Sequence, residues 1–148
     1  MNEKYAELLK GKMSPESYQK LTALENEALF DFIGEYVELC EPDSVYMCND
    51  SKEDADYIRQ KSLDMGEEVK LGRTGQTIHY DGYGDQGRDK ANTKFMIAKE
   101  KLDNYGNLNT IEHGEGLAEI KGIAKGIMKG KQAIVKLFCE CPTHSPFS

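Results

Sequence analysis

Apolar residues recur every three to four positions over residues 28–40, and this is the clearest periodic pattern in the chain. The pattern predicts one helix with a continuous apolar face that lies on a sheet. The face consists of Ala28, Leu29, Phe32, Ile33, Tyr36, Val37 and Cys40. Two shorter helices are predicted before it, over residues 4–10 and 15–24, with Ser14 as the N-cap of the second.

The next segments alternate between strand-like and helix-like patterns. Residues 44–48 predict a short buried strand, residues 52–65 a helix, and residues 69–71 a second extended segment. Ser51 and Asp54 have the spacing of a capping box at the start of that helix. Strand, helix and strand within about thirty residues predict a βαβ unit and therefore an α/β fold, with a mixed sheet flanked by helices.

Both later helices are predicted to turn apolar side chains inward. In helix 52–65 these are Ala55, Ile58 and Met65. A further helix is predicted over residues 114–129, between strand-like segments at 95–98 and 132–139. Its predicted inward residues are Leu117, Ile120, Ile123, Ala124, Ile127 and Met128.

Length and charge narrow the class of protein. The chain has 148 residues, as expected for one domain, and 26 acidic against 19 basic residues give a net charge of −7. This acidic balance argues against a nucleic-acid surface, which needs clustered basic charge. No apolar run approaches the length of a membrane span, and the first residues lack the apolar core of a secretory signal. We therefore expect a cytoplasmic protein without membrane or nucleic-acid partners.

Metal and phosphate motifs are weak in this sequence. Cys139, Cys141 and His144 sketch part of a zinc site, but no second ligand pair lies near them, and buried reduced thiols are the favoured interpretation. The segment Gly72–Gly75 is too short for a phosphate-binding loop and lacks its Lys-Ser/Thr ending. We therefore predict neither a metal site nor catalytic residues within the 148 residues of this chain.

The polar segment 85–94 carries the strongest candidate chemistry. Arg88 lies among glycine, amide and hydroxyl residues just before the strand-like segment 95–98. A guanidinium group is a planar fork of donors that matches a carboxylate or phosphate. Arg88 is therefore the candidate substrate-binding residue, although a surface arginine paired with a neighbouring aspartate remains an alternative. Asn92 and Thr93 are candidate supports that either orient Arg88 or cap the following strand.

Four segments in order and at similar spacing resemble GTP-dependent phosphoenolpyruvate carboxykinase. They are residues 36–48, residues 79–94 with Arg88, residues 128–131, and residues 145–148. The likeness is greatest to the archaeal-type branch, in which a loop like His79-Tyr80-Asp81 precedes a segment like 86–94. Members of this family are far longer, so the resemblance implies that residues 1–148 form a single amino-terminal, substrate-side domain.

The resemblance also implies a function for the longer protein. The family converts oxaloacetate and GTP into phosphoenolpyruvate, CO2 and GDP, a carboxy-lyase reaction of gluconeogenesis and anaplerosis. Mn²⁺ and Mg²⁺ with GTP are its cofactors, and the residues that hold them lie in a carboxyl-terminal domain beyond residue 148. Arg88 matches the position that holds the substrate carboxylate of oxaloacetate or phosphoenolpyruvate. The isolated segment is expected to be inactive and to bind no cofactor.

Two alternatives remain open from the sequence. One is a stand-alone module that uses the Arg88 segment to bind small carboxylates or phosphates without catalysis. The other is an interaction domain in which this segment is merely exposed. A carboxyl-terminal catalytic domain of the same chain is the expected partner only if the chain is part of a carboxykinase, and not under either alternative.

Overall fold

A computed structural model describes most of the chain. It covers residues 2–82, 87, 89, 92–139, 142 and 144–146, with backbone alone for 102–104. The α-helices are α1 Glu3–Lys12, α2 Pro15–Thr22, α3 Glu27–Cys40, α4 Lys52–Asp64 and α5 His113–Ala124, and a 3₁₀ helix spans Lys99–Asn104. The strands are β1 Ser44–Met47, β2 Val69–Lys70, β3 Thr77–Ile78, β4 Phe95–Ile97, β5 Thr110–Glu112 and β6 Gln132–Val135.

The first compact unit comprises Met1–Asp54 and Ile123–Ser148. Its strands β1 and β6 are parallel, with Ser44 opposite Gln132 and Met47 opposite Val135. Helices α1 to α3 supply most of its core, because their apolar side chains leave water together with those of β1. The core side chains are Leu9, Met13, Leu21, Phe30, Ile33, Val37, Val45 and Met47.

The second compact unit comprises Ala55–Gly122. It contains the antiparallel hairpin β2–β3 and the parallel pair β4–β5, which the 3₁₀ helix connects. Helix α5 packs on this pair at Gly116, where an added Cβ would lie 2.6 Å from Cγ of Met96 and 3.0 Å from Cγ2 of Ile111. Glycine at position 116 thus permits close contact between helix and strands.

The predicted α/β class is confirmed, but β1 has a different partner from the one expected. The structure pairs β1 with β6, and β2 with β3, so β1, α4 and β2 are not one βαβ unit. The local pattern gave the elements correctly. It did not give the partner of β1, because Ser44 and Gln132 lie 88 positions apart and strand pairing over that distance leaves no local signal. The prediction of a single domain stays a prediction.

The buried face of α3 differs from the predicted one. Phe30, omitted from that face, is 2% exposed, whereas Phe32, included in it, is 58% exposed. The reason is Gly34, which packs so closely against Tyr5 in α1 that an added Cβ would clash with Cγ of that ring. The buried face of α3 includes Gly34. Because glycine has no apolar side chain, a prediction from hydrophobic periodicity does not count this position as buried.

Five of the inward positions predicted for the two later helices are wrong, whereas Ile58, Leu117, Ala124 and Met128 are half-buried. Ala55 and Met65 are exposed, as are Ile120, Ile123 and Ile127. Helix α5 ends at Ala124 rather than at residue 129, and Gly126 has a left-handed backbone with φ of 66°. The three-residue strands β4 and β5 span only about 10 Å, whereas α5 spans about 18 Å, so the strands underlie only part of the helix.

The remaining boundaries agree more closely. Ser14 accepts a hydrogen bond from the backbone N–H of Ser17, which confirms it as the N-cap of α2. Helix α4 ends at Asp64, one residue before the predicted limit, and Gly66 follows with φ of 75°. Strand β6 ends at Val135, four residues before the predicted limit. In the part of the chain that the structure describes, no helix has both the length and the apolar composition needed to cross a membrane.

Candidate functional site

Arg88, the main candidate of the sequence, lies outside the residues that the structure describes. Its supports Asn92 and Thr93 are described, and both are exposed at the surface just before β4. The geometry of the candidate site is therefore the geometry of the turn that follows Arg88.

Asp89 is the hydrogen-bond centre of this turn. Its Oδ1 accepts from the backbone N–H of Asn92 at 3.0 Å, and its Oδ2 accepts from Nδ2 of Asn92 at 2.5 Å. Its carbonyl oxygen accepts from the backbone N–H and the hydroxyl of Thr93, at 2.9 and 2.6 Å. The side chains of Asn92 and Thr93 thus close the turn on Asp89, which favours an ordering role for both residues over direct contact with a ligand.

Strand β4 follows this turn, and both lie in the second unit. Phe95 donates its backbone N–H to the carbonyl oxygen of Asn109, next to the first pair of the β4–β5 ladder. Lys94 reaches α5, with Nζ 3.1 Å from Oε2 of Glu119. The Lys94 ammonium is therefore engaged by a carboxylate, which reduces the charge it offers to a bound anion.

His79 precedes the Arg88 segment in sequence and directly follows β3. Its Nδ1 lies 2.5 Å from the carbonyl oxygen of Glu67, and its Nε2 lies 3.2 Å from Oδ1 of Asp81. The hydrogen bond to Glu67, supported by the one to Asp81, raises the pKa of His79 above its usual range. Both ring nitrogens have partners, one before β2 and one after β3, which agrees with a hydrogen-bonding role rather than proton transfer.

Metal-ligand chemistry finds no support among the described residues. No three His, Cys, Asp or Glu side chains of that part come close enough together to hold a metal ion. The described residues therefore offer no three-ligand cluster for Mn²⁺ or Mg²⁺, and binding of these ions by the longer family chain stays a prediction. Cys141 lies outside the described residues, and Cys139 is exposed rather than buried as expected. Gly72–Gly75 forms a hairpin turn, not a loop that leads into a helix.

The sequence interpretation missed a buried charge cluster centred on Asp54. This carboxylate is 1% exposed and bonds Nζ of Lys20, at 2.8 and 2.9 Å from its two oxygens. It also accepts from the hydroxyl of Tyr46 at 2.6 Å and from the backbone N–H of Asn49 at 2.7 Å. The Ser51 hydroxyl accepts from the backbone N–H of Asp54, which confirms half of the predicted capping box. The Asp54 carboxylate bonds Asn49 rather than completing that box.

The cluster shifts the acidity of its members. Burial raises the pKa of Asp54, but the hydrogen bonds from Lys20, Tyr46 and Asn49 outweigh burial and bring the pKa to about 2. The hydrogen bond to Asp54, together with burial, raises the pKa of Tyr46 to about 12. Burial, with the nearby Asp54 charge, raises the pKa of the Cys48 thiol. These shifts keep Asp54 charged and both Tyr46 and Cys48 neutral near pH 7, which is typical of a structural cluster.

Residues 31–148 match the family model of the phosphoenolpyruvate carboxykinase N-terminal domain. The chain belongs to this family. The match begins inside α3 and includes both the Arg88 segment and the Asp54 cluster apart from Lys20. The resemblance noted from four short segments therefore holds for most of the chain.

Curated relatives agree with this assignment. The chain is 43% identical over 140 residues to the phosphoenolpyruvate carboxykinase [GTP] of Thermococcus sibiricus, covering 95% of this chain and 22% of that protein. It is 44% identical over 142 residues to the protein of the same name from Pyrococcus abyssi, covering 96% of this chain and 23% of that protein. The chain thus spans about a fifth of the length of these relatives.

Proposed function

We propose that this chain supplies the substrate-carboxylate side of a GTP-dependent phosphoenolpyruvate carboxykinase. In that reaction oxaloacetate loses CO2, and the resulting enolate takes a phosphoryl group from GTP to give phosphoenolpyruvate. The observation that carries the proposal is the family match, which spans Arg88 and the turn behind it. Nothing in the described residues supplies a phosphate loop or a metal site, so the proposed contribution is positioning alone.

Arg88 is the residue that we assign to the carboxylate. A guanidinium donates two parallel hydrogen bonds to a carboxylate, which fixes both the position and the orientation of a small diacid. Holding the substrate in this way aligns the bond to be cleaved with the groups that receive the developing enolate charge. Arg88 directly precedes Asp89, the residue on which the ordered turn closes.

Asn92 and Thr93 act in this proposal as positioning residues. The side chain of each residue donates a hydrogen bond to Asp89, the residue directly after Arg88. Each bond therefore restricts the conformation of Asp89. Removing either one takes a hydrogen bond from Asp89, the residue next to Arg88, and should weaken substrate binding without removing a contact to the substrate.

A chimeric enzyme tests the proposal directly. The matched 140 residues of the Thermococcus sibiricus relative are replaced by the corresponding residues of this chain. We expect the chimera to release CO2 from oxaloacetate in the presence of GTP, while the 148-residue chain alone does not. A folded chimera that fails to turn over oxaloacetate, with the parent enzyme active under the same conditions, would contradict the proposal.

The binding-module alternative is separated by calorimetry on the isolated chain. If this segment supplies only part of the pocket, oxaloacetate and phosphoenolpyruvate bind weakly, with Kd on the order of 1 mM or higher. Micromolar binding of either ligand by the isolated chain would favour a complete stand-alone site over the proposed half-site.

A further inference from the structure

A second candidate anion site lies in the second unit, away from the Arg88 segment in sequence. A cavity of about 250 Å³ opens between α4 and the β2–β3 hairpin. Its lining combines three cations with polar side chains and two leucines. The residues are Arg59, Leu63, Lys70, Leu71, Arg73, Thr74, Gly75, Gln76 and Thr77.

The hairpin presents its polar residues in a fixed geometry. Leu71 donates its backbone N–H to the carbonyl oxygen of Gln76, and Gln76 donates to that of Arg73, so residues 73–76 form a closed β-turn. Gly75 supplies the left-handed backbone at the third position of this turn, with φ of 78°. Lys70 and Thr77 are paired directly across the two strands and therefore share one face of the hairpin.

The helix supplies the opposite wall. Arg59 and Leu63 lie four residues apart and share one face of α4, so a cation and an apolar group both line the cavity from this side. The cavity therefore has charged groups on two separate elements, with leucines between them. Such a combination selects a small charged ligand held from two directions.

The charge of the lining is unusual for this chain. The chain has 26 acidic and 19 basic residues, yet three of those basic residues and no acidic residue line the cavity. Within the described part of the chain, the charged ends of Arg59, Lys70 and Arg73 have no ion pair or hydrogen bond. Three unpaired cations around one small cavity repel each other, and a bound anion relieves that repulsion.

We propose that this cavity binds a phosphoryl-type dianion, either inorganic phosphate or the phosphoryl end of a small metabolite. Arginine pairs with phosphate oxygens two bonds at a time, and Lys70 adds a further charge. The hydroxyls of Thr74 and Thr77 and the amide of Gln76 supply additional donors at the rim. A volume of about 250 Å³ suits a small anion rather than a whole nucleotide.

Nuclear magnetic resonance on the ¹⁵N-labelled 148-residue chain tests this site without reference to catalysis. Pyrophosphate is the probe, inorganic phosphate the smaller form, and citrate the carboxylate comparison, all at constant ionic strength because exposed charges are screened by salt. We expect pyrophosphate to shift the amide resonances of residues 73–77 saturably, with smaller effects from citrate. The double substitution Arg59→Gln, Arg73→Gln should weaken pyrophosphate binding about tenfold or more.

A charge-matched control uses Lys125→Gln with Lys131→Gln, two exposed residues of the first unit that remove the same net charge elsewhere. This variant should bind pyrophosphate as the parent does. Arg88→Gln should also leave pyrophosphate binding at residues 73–77 intact, which separates this site from the proposed substrate site. The proposal is overturned by unchanged binding in the Arg59, Arg73 variant, by citrate binding as strongly as pyrophosphate, or by no saturable shift at about 10 mM pyrophosphate.

Discussion

Lys20 and Asp54 form a buried ion pair that joins two helices 34 residues apart in sequence. Nζ of Lys20 lies 2.8 Å from Oδ1 and 2.9 Å from Oδ2 of Asp54, whose side chain is almost inaccessible to water. Tyr46 and Asn49 satisfy the remaining acceptor positions of the carboxylate. Within the first unit, a set of directed, charge-assisted bonds thus holds Asp54 against α2 and β1.

Asp54→Asn should destabilise the chain by about 3 kcal/mol. The substitution keeps the shape of the side chain but removes the buried charge opposite the Lys20 ammonium, which keeps only Glu16, 77% exposed, as an ion-pair partner at 3.0 Å. Urea unfolding followed by circular dichroism measures the loss. Glu53→Gln, an exposed residue in the same helical turn, is the matched control and should change stability by less than about 0.5 kcal/mol. A loss below about 1 kcal/mol in Asp54→Asn would show that the pair contributes little.

The same carboxylate should make stability depend on acid pH. The pKa of Asp54 is about 2 in the fold, against 3.8 for a free side chain, so the folded state favours the charged form. Its contribution, on the order of 2 kcal/mol, is present above pH about 4 and is lost as the pH falls through about 2. Unfolding midpoints between pH 5 and pH 2 should fall more steeply for the parent than for Asp54→Asn. Parallel curves would contradict the assigned pKa.

The sequence predicted helices and strands well where the pattern depends only on residues within a single element. The helical spacing of α3 and the N-cap at Ser14 are local properties of the chain, and they were found, although the buried face of α3 was not. The Asp54 cluster was not found, because its decisive partner Lys20 lies in another helix and a capping aspartate was the simpler interpretation. Partners separated by tens of residues leave no periodic trace.

The candidate sites show the same division. Arg88 was predicted from local composition, because it lies among glycine and amide residues. The family match covers this position, but Arg88 itself lies outside the described residues. The cationic cavity depends on Arg59 in α4 lying near Lys70 and Arg73 of the hairpin. Nothing in the local sequence brings these three residues together, since hairpin formation and the packing of the hairpin on the helix decide it.

Gly34→Ala should destabilise the first unit by about 1–3 kcal/mol. An added Cβ at position 34 would lie 2.5 Å from Cβ of Tyr5, an atom that cannot move without its backbone. Gly122→Ala is the matched control, because it is also a helical glycine and no atom lies within 4 Å of its added Cβ. Gly122→Ala should stabilise the chain by about 0.5–1 kcal/mol through higher helix propensity. Equal effects of the two substitutions in thermal unfolding would argue against the close packing of α1 on α3.

His79 should titrate above its unfolded value, because its hydrogen bonds to Glu67 and Asp81 favour the protonated ring. Protonated His79 stabilises the loop below the unfolded pKa of about 6.5, and that contribution is lost as the pH rises through the higher folded pKa. Proton NMR of the ring resonances measures the midpoint directly. Asp81→Asn should lower it, whereas Asp64→Asn, at the end of α4, should not. A His79 midpoint that is unchanged on unfolding in urea would contradict the raised pKa.

Arg88→Ala in the chimeric enzyme should lower kcat/KM for oxaloacetate by the equivalent of about 2–4 kcal/mol, a factor of roughly 30 to 1000. A bidentate contact to the substrate carboxylate is lost, so Arg88→Lys should recover only part of the activity because an ammonium lacks the planar fork. Added guanidinium ion should partly restore the activity of Arg88→Ala. Lys125→Ala is the charge-removing control: it should keep the parental rate, and guanidinium ion should not change that rate. Unchanged kinetics in folded Arg88→Ala would exclude the proposed substrate contact, and Asn92→Ala or Thr93→Ala should then have no effect on KM either.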